Sequence, residues 1–167
     1  MNLYIVRHAI AVQRGTPGSD DDSQRPLTGK GRKKMEKIAK GLRQFNVEFD
    51  TILTSPYVRA RDTAEILASE YKIKDKIGFT DHLIPPGNFD ELIDEINEKY
   101  NVNSLALVGH EPMLSQFISW LTAGNTETKI TLKKGGIALL LADDLSQERR
   151  ATLQWLLTPA MMVELSK

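Results

Sequence analysis

The chain has 167 residues with 22 basic and 22 acidic side chains, so no net charge draws it to nucleic acid or an anionic membrane. It has no cysteine, which removes disulfides, thiol catalysis and thiolate metal sites together. No apolar run approaches the ~20 residues of a membrane span, and the first residues lack the basic and apolar segments of a signal peptide. A cytoplasmic, monomeric protein with a single domain over residues 1–167 is therefore expected.

Leu3-Tyr4-Ile5-Val6 is a short unbroken apolar run, the pattern of a strand covered on both faces. It runs straight into Arg7 and His8. The polar stretch Val12 to Pro26 follows, with Asp20-Asp21-Asp22 in its middle. One acidic run offers too few converging oxygens for a hard cation, so a solvated loop tip is expected there. Thr28 is placed to cap a helix whose apolar residues are Met35, Ile38, Ala39, Leu42 and Phe45.

Asp50 to Thr54 reads as a second strand. Ser55-Pro56 then has the form of a cap followed by proline at the first helical position. Tyr57, Ala60, Ala64, Leu67, Ala68 and Tyr71 give that helix one apolar face and put Arg59 in its first turn, where free N–H groups favour anions. Ile77-Gly78-Phe79 reads as a short strand, and Asp81 to Asn88 as an irregular loop. Asn88 with Glu91 resembles a capping box for a helix bearing Phe89, Leu92, Ile93 and Ile96.

Ser104 to Val108 is the strongest buried-strand signal, and it ends in Gly109-His110. Pro112 opens a further helix, with Gly124 as its stop. Ile137 to Ala142 and Ala151 to Leu157 read as two strands joined by a charged turn from Asp143 to Arg150. Strands joined without a helix indicate an antiparallel hairpin. The expected fold is a three-layer α/β sandwich: a mostly parallel central sheet, an antiparallel C-terminal strand, and helices on both faces.

Arg7-His8, Arg59 and His110 each follow a strand, and in a parallel sheet those ends share the edge where ligands bind. Singly, they read as a strand-end histidine, a surface arginine and a junction histidine. A zinc site from the three histidines lacks suitable spacing. Together they suit phosphoryl transfer. A neutral imidazole can attack phosphorus, and flanking guanidiniums keep it neutral by repulsion while binding the phosphate oxygens. Lys133-Lys134-Gly135-Gly136 reads as a turn with solvated lysines.

Arg7-His8-Ala9, the stretch from Ser55 to Thr63, and Val108-Gly109-His110-Glu111-Pro112 together resemble the histidine phosphatase superfamily, in its order and over nearly the whole chain. Short length and Arg25-Pro26-Leu27-Thr28 resemble the SixA branch of small phosphohistidine phosphatases. The resemblance implies a phosphoglycerate mutase-like fold, His8 as phospho-acceptor, and a phosphate pocket of Arg7, Arg59 and His110 with Arg25 as an accessory. It implies no metal and no cofactor, and a phosphorylated histidine-containing protein domain as partner. Many superfamily members carry a carboxylic general acid two positions after a leucine; here that leucine resembles Leu83 and the position holds Pro85. Asp81 and His82 are nearby and do not match by spacing. Weak activity on esters with poor leaving groups is expected. A small-molecule phosphatase and a phosphate-binding regulatory module are the alternatives.

Overall fold

The computed structural model describes residues 1–17, 20–142, 145 and 151–167. Six strands form one sheet: β1 (Asn2–Arg7), β2 (Thr51–Thr54), β3 (Ile77–Phe79), β4 (Ser104–Gly109), β5 (Ile137–Leu141) and β6 (Thr152–Leu157), in the order β3-β2-β4-β1-β5-β6. β1 pairs in parallel with β4, and β2 in parallel with both β4 and β3. The reversed strand is β5; β6 is antiparallel to it and so returns to the direction of the first four. The expected turn from Asp143 to Arg150 lies outside the described residues, apart from Leu145.

Five helices are described: α1 (Gly29–Gln44), α2 (Val58–Tyr71), α3 (Phe89–Lys99), α4 (Met113–Ala123) and α5 (Pro159–Leu165). The strand pleat divides the core in two. Tyr4, Val6, Ile52, Ala106 and Val108 face α1, α2 and α5, where Met35, Ile38, Leu42, Leu67 and Met162 are buried. Leu3, Ile5, Leu53, Leu105 and Leu107 face α3 and α4, among Leu92, Ile96, Leu114 and Phe117. Continuous apolar strands are thus explained by burial on both faces.

The helix ends follow local chemistry. Thr28 caps α1 by accepting the Gly31 N–H, and Asn88 accepts from Asp90 and Glu91. Gly124, at φ 74°, stops α4 in the left-handed conformation. Sequence reasoning left α5 out, although Thr158-Pro159 supplies a capping hydroxyl and a proline at its start. That helix packs tightly: a Cβ at Gly41 of α1 would overlap the Met162 carbonyl. The cap expected at Ser55 is corrected. α2 begins at Val58, and the Ser55 side chain is engaged at the sheet edge. Among the described residues no helix is long and apolar enough to cross a membrane.

Candidate active site

The C-terminal ends of β1, β2 and β4 open into a cleft of about 450 Å³. Arg7, His8, Arg25, Arg59 and His110 all line it. Backbone bonds fix this edge: the His8 N–H donates to the Gly109 carbonyl at 3.1 Å, and the Gly135 N–H reaches the carbonyls of Arg7 and His8. The Ala9 N–H donates to the Thr63 hydroxyl, which donates to the Arg59 carbonyl, tying the strand end to the first turn of α2.

His8 Nδ1 lies 2.7 Å from the Ala9 carbonyl. A carbonyl only accepts, so Nδ1 carries the proton and Nε2 holds the lone pair. Burial pushes the His8 pKa down. The Ala9 bond opposes this, Arg59, Arg7 and Lys134 add to it, and the result is about 3. The ring is therefore neutral at physiological pH. Repulsion by guanidiniums acts in the expected direction, but burial is the larger cause.

The rings of His8 and His110 are 5.2 Å apart. His110 is also pushed down to about 3, by burial first and then by Arg59 and His8. Its Nε2 lies 2.9 Å from the Ser55 hydroxyl, which accepts the Tyr57 N–H and has its own hydrogen to give. Where Ser55 donates to Nε2 the proton sits on Nδ1; where Ser55 accepts from Nε2–H, Nδ1 holds the lone pair. Among the described residues that Nδ1 is buried without a partner, as are Nε of Arg7 and Nε of Arg59. Buried polar atoms are rarely left unpaired, so three on residues lining one cleft, two of them guanidinium donors, point to a polar ligand there.

The acidic loop departs most from its sequence reading. Asp21 caps a short turn over Asp22–Gln24, but Asp22 is no solvated tip. Its carboxylate meets Arg59 at 3.0 Å, Arg25 at 2.9 Å and Arg14 at 3.0 Å, and its carbonyl accepts from Arg59 at 2.6 Å. Burial alone would raise its pKa; the Arg14 hydrogen bond and the charges of Arg59 and Arg25 outweigh that and hold it at about 2. Arg59 lies over the Tyr57 ring, 5.0 Å from its centroid. Arg7 donates to the Leu132 carbonyl at 2.8 Å.

Lys134 and Glu111 also line the cleft; both turn lysines are exposed, as expected, and Lys134 faces the cleft mouth as well. Glu111 is held by Ser115, whose N–H and hydroxyl both donate to its carboxylate. Pro85 lines the cleft, whereas Asp81 and His82 do not; His82 faces Glu91 at 3.1 Å. Sequence reasoning missed Asp22, Ser55, Glu111 and Lys134. Only Glu111 adjoins a singled-out residue in a way that spacing could have flagged.

The family model of the histidine phosphatase superfamily (branch 1) matches residues 3–83. An uncharacterized protein of Picosynechococcus sp. is 37% identical over 139 residues, covering 82% of each chain. The chain belongs to the histidine phosphatase superfamily. Within this superfamily its likeness is to the SixA branch. The phosphohistidine phosphatase SixA of Escherichia coli is 24% identical over 161 residues, covering 95% of this chain and 94% of that one. A solved structure of the protein histidine phosphatase SixA complexed with tungstate matches with a TM-score of 0.82 at 25% identity, over 96% of this chain and 98% of that one. The superfamily's phosphoglycerate mutase-like α/β fold and phosphatase chemistry therefore apply here.

Proposed function

We propose that the protein hydrolyses phosphohistidine on a protein, through a phosphoryl intermediate on His8. The observation that supports this most is a neutral His8 whose Nε2 lone pair shares a cleft with Arg7, Arg59 and His110, each with a buried nitrogen that has no partner among the described residues. In the first step Nε2 attacks phosphorus. The P–N bond of the substrate breaks, and its imidazole leaves neutral after protonation of its other nitrogen. Arg7 and Arg59 hold the equatorial oxygens as charge spreads over them, and His110, with its proton on Nδ1, donates a further hydrogen bond. In the second step water attacks phospho-His8, the new P–O bond replaces the P–N bond, and a water proton passes to solvent. Phosphate leaves and Nε2 regains its lone pair. Guanidinium and imidazole groups supply all the charge stabilisation in this scheme, and Arg25 orients Arg59 through Asp22.

Pro85 at the cleft argues for this substrate class over alkyl esters. An alkoxide needs a proton from a placed acid, an aid worth roughly 10²–10⁴-fold, whereas a protonated imidazole departs without one. The SixA relatives are phosphohistidine phosphatases by name, which favours the same reading. The test is a substrate panel in chelator, run on wild type and His8→Ala. A phosphohistidine protein and an aryl phosphate should turn over, an alkyl phosphate at least ~100-fold more slowly, and nothing with the variant. Equal turnover of the alkyl ester, or a silent phosphohistidine protein beside active small phosphates, would overturn the assignment.

A further inference from the structure

The molecule is neutral, but its charge is not evenly spread. α1 carries Lys30, Lys33, Lys34, Lys37 and Lys40 with Arg32 and Arg43, against one acid, Glu36. α3 is the reverse, with Asp90, Glu91, Asp94, Glu95 and Glu98 against Lys99. Lys30, Lys33, Lys34 and Lys37 fall at the spacing of one helix face. None of them has a carboxylate within ion-pair distance among the described residues, whereas Arg32 pairs with Asp62 and Arg43 with Glu70. The four lysines line a groove of about 790 Å³ whose other wall includes Ala160 and Val163 of α5. Next to these, Met161 is 51% exposed. Lysine stems and α5 thus make an apolar floor, and ammonium groups form its rim.

The groove starts at the sheet edge that holds the cleft: α1 follows the loop that leaves β1, and α5 follows β6, which runs in the same direction as β1. Arg25 lines the cleft and lies five residues before Lys30. The turn holding Lys134 is bonded to Arg7 and His8, and a Cβ on its Gly135 would touch Ile38 of α1 and Pro159 of α5.

We propose that this groove docks the phosphoprotein substrate, which lays an acidic amphipathic helix between α1 and α5 while its phosphohistidine enters the cleft. The proposal rests on the reading above for the identity of the substrate. The groove runs about 10 Å from Lys30 to Lys37, two turns of helix, with α5 as its second wall, which suits a helix laid alongside. An apolar floor suits leucine-type side chains rather than a nucleic-acid backbone. Unpaired ammonium groups at the rim complement carboxylates and speed encounter.

Charge reversal tests it. Lys30→Glu, Lys33→Glu and Lys37→Glu are combined; all three side chains are exposed and lie outside the cleft. The variant should hydrolyse an aryl phosphate like wild type. Its KM for a phosphohistidine protein should rise about tenfold or more with kcat kept, and salt should raise the wild-type KM. Separately, a labelled helical peptide with glutamates flanking a leucine stripe should bind wild type and not the variant. The peptide arm decides the groove even where phosphohistidine turnover fails, so the two failures are distinguishable. Equal peptide binding by both proteins would overturn the proposal. So would tighter binding to phosphatidylserine vesicles than to the peptide, or self-association that the variant abolishes while the peptide does not bind.

Discussion

Two buried, neutral histidines facing arginines should make the fold acid-sensitive in a defined way. His8 and His110 both have folded pKa values near 3, against about 6.5 in an unfolded chain. Below 6.5 the unfolded chain binds protons that the native state refuses, so stability falls as pH falls from 6.5 toward 3. Each histidine contributes a slope of about 1.4 kcal/mol per pH unit in that window, or about 2 kcal/mol at pH 5. Both rings are neutral in the native state at pH 5, so the two contributions add to about 4 kcal/mol. Urea unfolding at pH 7.5, 6.5, 5.5 and 5.0 would measure this for wild type, His8→Gln, His110→Gln and the double variant. Each single variant should lose about half of the excess slope, and the double variant nearly all. Bound phosphate favours the protonated rings, so its addition should flatten the wild-type slope. A double variant as acid-sensitive as wild type would refute the claim that these rings are held neutral.

Asp22→Asn should lose about 1–2 kcal/mol at neutral pH, read as a lower urea midpoint. A carboxyl depressed in the native state stabilises above its unfolded pKa, so the difference should persist to about pH 4 and shrink below it as the pH falls toward 2. Ser55→Ala leaves His110 Nε2 without its hydroxyl partner and frees the tautomer, and kcat for an aryl phosphate should fall about 10–100-fold with little change in KM. Gly41→Ala forces a methyl into the Met162 carbonyl, and a cost of about 1–3 kcal/mol in thermal or urea unfolding is expected, with the cleft chemistry intact.

What could be read from sequence was what periodicity and strand ends encode. The apolar runs of β1 and β4 announced strands buried on both faces, and residues following a parallel strand must share an edge, so Arg7, His8 and His110 met as expected. Arg59 followed because a helix starts just after β2. Asp22 was hidden because its position depends on how a long loop folds back on its own Arg14 and Arg25 and onto Arg59 of α2. Ser55 was misread for a related reason. Ser-Pro satisfies a local helix-start rule, but the buried His110 ring claims the hydroxyl and α2 starts at Val58. α5 was passed over because seven residues give too little periodicity to read, and its place is set by Gly41 across the interface.

Capture of the intermediate tests the central claim most directly. Wild type mixed rapidly with a phosphorylated substrate, quenched in alkali and digested should yield a peptide containing phospho-His8, stable to base and labile to acid. The His8→Ala variant should yield none, and the adduct should form and decay at rates that account for turnover. Phosphate turnover without any adduct on His8, or an adduct on His110 instead, would contradict it.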